Sequence, residues 1–384
     1  MPHIPWRRPP LKSTLVSKPS LHSHASAYVE DVLRSGWWGY GPVAQHLQAT
    51  VEALYEGEQN CLATSSCTAA MHLALRMAGV GPGDEVIVPA FTYVSTAVVA
   101  VYCGATPVFA DIDPETMTVT AATVERQLTG RTRAIIPMHY AGPARSFDGI
   151  RELVKGRDIT VIEDAAHAFG SRRDGKLAGA NAEFAAFSFA PTKQIASSNG
   201  GLLLYKDGER KSLLNQLSFL GLVADTYNRT IATGVSPTQR VERIGNKYKI
   251  DDVAAAIAYA GIEELDEIVA HRGQLAERYY QNLEGFAPVQ LLPRRSNDVI
   301  SWYIFPIRVD ENRRDGLRAR LAEHNIDSTV HYPNLKEQPA FESAPGEVPV
   351  TARECRRIVS LPMHRALGEN EVDRICEVIR GYLG

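Results

Sequence analysis

From residue 60 onward the sequence alternates between short apolar runs of β-forming residues and longer helix-compatible stretches, and few folds satisfy that pattern. The runs fall at 61–63, 85–88, 107–110, 133–138, 160–163, 184–189 and 201–205. Between most of them lie candidate helices at 68–78, 95–103, 121–128 and 147–154. Strands alternating with helices predict an α/β fold, a mostly parallel sheet with helices on both faces. Ligands of such sheets collect at the carboxyl ends of strands, beside helix N-termini. The residues of interest here fall at such ends.

The flanks read differently. Residues 1–23 hold five prolines by position 21 and no periodic pattern, which predicts an extended N-terminal arm. Helices are predicted at 24–33 and 43–55, separated by Ser35–Gly36–Trp37–Trp38–Gly39–Tyr40–Gly41–Pro42. The rings of that segment either plug a gap in the core or form a flap over a substrate. Residues 221–245 are polar and irregular, a long loop of the functional or mobile kind. One long helix is predicted over 251–283, with Asp251 and Asp252 in its first turn, where the helix dipole favours acids. Beyond Pro288 come an apolar run at 302–307, a helix at 312–324, a run into His331–Tyr332–Pro333 and a last helix at 369–383. The chain therefore divides into an arm (1–23), a large domain (24–262) and a small α+β C-terminal domain (263–384).

Composition removes several function classes. A net charge of −3 points to neither a nucleic-acid partner nor an anionic membrane. The longest apolar runs, 95–101 and 253–262, are too short to span a bilayer. Five scattered cysteines with no metal-ligand spacing read as reduced thiols in a cytoplasmic protein without a metal site.

The chemistry concentrates in 161–201. Asp164 closes one apolar run, and His167 follows three residues later. Ser188 sits between phenylalanines, and Lys193 follows Pro191–Thr192 ahead of Gly200–Gly201. A lysine in apolar sequence is costly when unpaired, and its amine can condense with a carbonyl. Asp164 either caps the next helix or pairs with a protonated pyridine nitrogen. His167 either packs on a ring or bonds its phenolic oxygen, unless it is a satisfied core histidine. Thr64, Ser65, Ser66 and Thr68 precede a helix-forming run, which suits an N-cap, a phosphate site, or both. Tyr93 either stacks on a cofactor ring or packs in the core. Acid, imidazole, hydroxyls and lysine at neighbouring strand ends match pyridoxal phosphate. The glycine-rich Gly79–Val80–Gly81–Pro82–Gly83 precedes a strand instead of joining strand to helix, so a dinucleotide fold is rejected.

Taken together, the ordered motifs GWWGYGP, ATSSCTAAMHLAL, GDEVIVPAFTYVST, GATPVFADID, VIEDAAHAFG, FSFAPTK with the later GG, GNKYKIDDVAAAIAYAGIEELDEI, SWYIFPIR and VHYP resemble those of the fold-type I, DegT/StrS-type aminotransferases acting on keto sugars and cyclitols. The resemblance runs from about residue 36 to the C-terminus. It implies that Lys193 binds pyridoxal phosphate covalently, Asp164 holds the pyridine nitrogen and His167 lies beside the ring. It further implies that Thr68 and Ala69, by backbone N–H with Cys67 beside them, and Ser188 hold the phosphate, while Tyr93 stacks on the ring. In such enzymes the GNKYKI segment reaches the neighbouring subunit's phosphate, which implies a homodimer with shared sites. Here Lys247 and Lys249 stand where asparagine is usual, and Asn246 replaces an aromatic, so one of the two lysines is expected to make that contact. Asn199 of SSNGG departs from the acid often found there.

The resulting expectation is ping-pong amino transfer from an amino acid, L-glutamate or L-glutamine, to a keto sugar, nucleotide-linked, or to a cyclitol ketone. Trp38, Tyr40, His331 and Tyr332 are candidate substrate contacts. Three alternatives remain at this point: another pyridoxal phosphate reaction, such as dehydration or aromatisation; a non-catalytic cofactor binder; and a nicotinamide oxidoreductase, which the missing strand–GxGxxG–helix unit disfavours.

Overall fold

The structure, a computed structural model, describes residues 14–223, 226–227 and 240–384. Its central sheet has seven strands: β1 (Asn60–Thr64), β2 (Glu85–Pro89), β3 (Thr106–Ala110), β4 (Thr132–Ile135), β5 (Thr160–Asp164), β8 (Phe184–Ser188) and β9 (Gly201–Tyr205). A small hairpin supplies β6 (Arg172–Arg173) and β7 (Lys176–Leu177). The spatial order is β1-β9-β8-β5-β4-β2-β3, parallel throughout except for β9, which runs antiparallel to both neighbours. Most of these strands are buried along nearly their whole length, as their continuous apolar runs require. The predicted strand at 133–138 ends at Ile135, because Pro137 has no N–H for the ladder.

Helices cover both faces. Among them are α1 (Ala25–Ser35), α2 (Pro42–Leu54), α3 (Cys67–Met77) and α4 (Ser95–Tyr102). The helix predicted over 251–283 is two helices, Asp252–Glu263 and Leu265–Leu283, broken at Glu264. Neither glycine nor proline marks that break. Instead the Glu264 carboxylate accepts the Ser23 N–H and an Arg365 N–H and contacts His22, so residues 22–23 are tied to it.

The C-terminal residues form an antiparallel three-stranded sheet of β10 (Gln290–Leu291), β11 (Phe305–Arg308) and β12 (Ile358–Leu361). A core centred on Tyr279, Phe305, Ile307 and Ile375 fills it. Residues 1–13 of the predicted arm and much of the 221–245 loop lie outside the described residues. From Thr14 the arm lies on the C-terminal module, pairing with Asn325 and Asp327 through its backbone. Among the described residues no helix is long and apolar enough to cross a membrane.

The fold positions two adjacent strand ends. Strands β5 and β8 are parallel neighbours with Asp164 opposite Ala186, so their carboxyl ends open on one edge. Lys193 lies on the irregular loop that follows β8.

Candidate active site

At the end of β5 successive side chains point to opposite faces, so Glu163 and Asp164 enter different environments. Asp164 is buried, accepting the Thr96 hydroxyl on Oδ2 at 2.7 Å and the Ala166 N–H on Oδ1 at 3.1 Å. Burial raises its carboxyl above the usual range, and those two bonds and the field of Lys193 offset this only in part. Both donors are neutral, so the acid is solvated by dipoles and keeps room for a cationic N–H.

Asp164 and Lys193 line the same cleft, about 320 Å³ in volume. Lys193 Nζ sits 3.8 Å from the centroid of the Tyr303 ring, a cation–π contact. Tyr303 packs in turn on His167 at 4.1 Å between centroids. The His167 ring is buried, and its Nδ1 accepts the Ala141 backbone N–H at 3.3 Å. Burial, then the charge of Lys193, holds this imidazole neutral. Its single proton is therefore on Nε2, which donates to the Tyr332 hydroxyl at 2.8 Å. That leaves the Tyr332 proton free for a different acceptor. His331, joined to Tyr332 by a cis peptide bond, also lines the cleft, bonded through Nδ1 to Ser360 at 3.0 Å. Burial and Lys193 push its imidazole down to about 4.

The opposite wall is the start of α3. Ser66 caps the helix by accepting the Ala69 N–H at 3.1 Å. Ser66, Cys67 and Thr68 border the cleft, as does Ser188 across from them. Ala69 does not border it and its N–H is taken by the cap, so the donors left at this helix start are Cys67 and Thr68. Burial pushes the Cys67 thiol up, which makes it an inert wall. Gly201 is required here: a Cβ would come 2.5 Å from the Cys67 nitrogen.

Tyr93 borders the cleft and is 56% exposed, stacked on nothing larger than the tilted Tyr332 ring at 6.1 Å. Trp38, Tyr40, Lys247 and Lys249 do not line the cleft of their own chain. Trp38 is 57% exposed and donates its Nε1 proton to Leu33. Lys249 lies 4.0 Å from the Tyr40 ring centroid, while the strand-like bridges of Lys247 and Lys249 run to Phe219 and Thr64. The segment 38–44 is held by Asp252, whose N–H bonds Trp38 and Gly39 and whose carboxylate accepts the N–H groups of Gly41, Val43 and Ala44. Three contributors escaped the sequence reading: Thr96, Tyr303 and Gln194. Thr96 and Tyr303 had a signal, their places in GDEVIVPAFTYVST and SWYIFPIR, and Gln194 had none.

The donor set suits pyridoxal phosphate: a lysine amine, an acid met only by neutral donors, and hydroxyls at a helix start. A family model of the DegT/DnrJ/EryC1/StrS aminotransferases matches residues 19–380. The chain belongs to that family. The fold agrees with solved members. The aminotransferase TlmJ from Streptoalloteichus hindustanus is 30% identical with a TM-score of 0.89, over 97% of this chain and 99% of that one. Spr1654 from Streptococcus pneumoniae, described as a sugar aminotransferase and solved in a PMP form, is 28% identical with a TM-score of 0.89, over 96% and 98%. DesV from S. venezuelae, solved with a ketimine intermediate, is 30% identical with a TM-score of 0.85, over 94% of each chain. This DegT-family chain is accordingly a pyridoxal phosphate-dependent aminotransferase of the sugar-modifying type.

Proposed function

We propose that the chain moves the amino group of L-glutamate or L-glutamine to a nucleotide-linked keto sugar. The observation that carries the amino-transfer chemistry of this reading is the buried Asp164, met only by neutral donors, in one cleft with Lys193. Lys193 is the residue that binds the cofactor. Asp164 holds its ring N–H, the N–H groups of Cys67 and Thr68 with the Ser188 hydroxyl hold its phosphate, and Tyr93 and His167 bound its ring. Once bound, pyridoxal phosphate supplies the carbonyl that takes up the donor amine and the electron sink that acidifies the donor's α-carbon. Lys193 Nζ, displaced by the donor, accepts the α-proton. Thr96 fixes the Asp164 carboxylate. Tyr332 O–H and His331 face the space left for the acceptor, where hydroxyl recognition needs paired polar groups.

We propose further that two copies share their sites, with Lys247 or Lys249 of one reaching the phosphate held by the other. Trp38, Tyr93, Tyr102 and Ile244 expose large apolar surface that a second copy would cover.

The test is direct. The protein loaded with cofactor should be yellow, borohydride should bleach the band, and mass mapping should find the cofactor on Lys193; Lys193→Ala should lose it. Adding L-glutamate or L-glutamine should convert the band to the amine form, and keto sugars should reverse the conversion where cyclitol ketones do not. A colourless protein, or a band that no amino acid alters, would defeat the reading. Mixing Lys193→Ala with a Lys247→Ala/Lys249→Ala double variant should restore activity if sites are shared.

A further inference from the structure

Lys193 stands on a loop, 189–200, that is neither helix nor strand, and few backbone bonds define it. Lys193 N–H turns back to Ala190, Ser197 N–H reaches Phe189, and Phe189 N–H reaches Gly200. A catalytic amine needs placement to better than about an ångström, so the loop must be held from outside. Thr192 Oγ1 meets the Tyr303 hydroxyl at 3.3 Å, and three more side chains hold it. His22 contacts the Ala196 carbonyl at 3.2 Å, and Ser197 Oγ donates to Ala254 at 2.7 Å. The third is Gln194, next to the lysine and 4% exposed. Its Nε2 donates to the His167 carbonyl at 2.5 Å and to the Ser301 carbonyl at 2.6 Å. Both acceptors are carbonyls, which fixes the orientation of the amide.

These two partners are the other walls of the site. His167 belongs to the turn that begins at Asp164. Ser301 is two residues ahead of Tyr303, whose ring lies under the amine. We infer that Gln194 is a positioning residue: one carboxamide, using both of its N–H groups, sets the Lys193 loop against the Asp164–His167 turn and against the segment bearing Tyr303. The inference rests on the functional reading above. Gln194 touches no reacting atom, and its effect passes through Lys193.

The test compares cofactor-loaded wild type with Gln194→Met, similar in length but without donors, and with Ser197→Ala, which releases the same loop from a helix outside the site. At saturating pyridoxal phosphate, mass mapping after borohydride gives the fraction linked to Lys193. In Gln194→Met that fraction should fall about ten-fold, and kcat should fall more than KM changes. Ser197→Ala loses a tie four residues from the lysine, so its linkage should fall less than that of Gln194→Met. If Gln194→Met does not fold, Gln194→Asn keeps the amide one methylene short and should show the same loss. Linkage equal to wild type in the folded Gln194 variant would overturn the inference, and so would an equal loss in Ser197→Ala. Wild-type protein with no adduct on Lys193 would instead overturn the functional reading, and the inference with it.

Discussion

Two carboxylates one residue apart on the same strand have opposite fates. Glu163 points away from the cleft, where His139 Nε2 meets it at 2.9 Å and Arg151 at 2.7 Å. Burial pushes its carboxyl up, but those partners more than reverse this, and it sits below the usual range. Asp164, equally buried, has a hydroxyl and a backbone amide and sits above it. Glu163 is a finished structural pair. Asp164 is solvated just enough to be tolerated and is left wanting a cation, which is the condition of a binding site. Neither burial nor residue type separates the two; only the charge of their partners does.

The contrast can be broken by mutation. Asp164→Asn should lower the rate of amino transfer about 10²–10³-fold, the range seen when one charge-stabilising group is lost, read as single-turnover reduction of the cofactor band by donor. Glu163→Gln should leave that rate near wild type in folded protein but cost about 2 kcal/mol in urea unfolding, since Arg151 and His139 lose a charged partner. The pH dependence should differ in sign. The lowered Glu163 contributes stability present above the ordinary carboxylate value and lost as pH falls through its own lower value, so the Glu163→Gln deficit should shrink in acid. The raised Asp164 imposes a cost present above its raised value and relieved as pH falls below the ordinary one. Thr96→Val, which deletes one donor to Asp164, should cost about 1 kcal/mol in the cofactor-free protein and move the acid limb of the rate profile to higher pH. Smallest, cofactor-free Asp164→Asn should melt about 2 °C above wild type at neutral pH, with the gain vanishing in acid.

Much of this was legible in the sequence because it is local. Continuous apolar runs predicted the parallel sheet, and the spacing from Asp164 to Lys193 matched two neighbouring strand ends. What escaped depends on distant partners. Thr96 meets Asp164 across 68 positions and Gln194 meets Ser301 across 107, and no local pattern records such pairs. The helix break at Glu264 has the same origin, since residues 22 and 23 supply its partners. The resemblance puts Ala69 at the phosphate, while Ser66, three residues earlier, takes its N–H. Trp38 and Tyr40 looked like a flap, but Asp252 ties that segment down away from its own cleft.

The central claim is that Asp164, and not its paired neighbour, receives the cofactor's ring nitrogen. Pyridoxal phosphate labelled with ¹⁵N in the ring and bound to wild type should give the resonance of a protonated pyridine across the pH range in which the protein is folded. Bound to Asp164→Asn it should give that of a neutral one, and Glu163→Gln should match wild type. Identical ring-nitrogen resonances in wild type and Asp164→Asn would contradict the account.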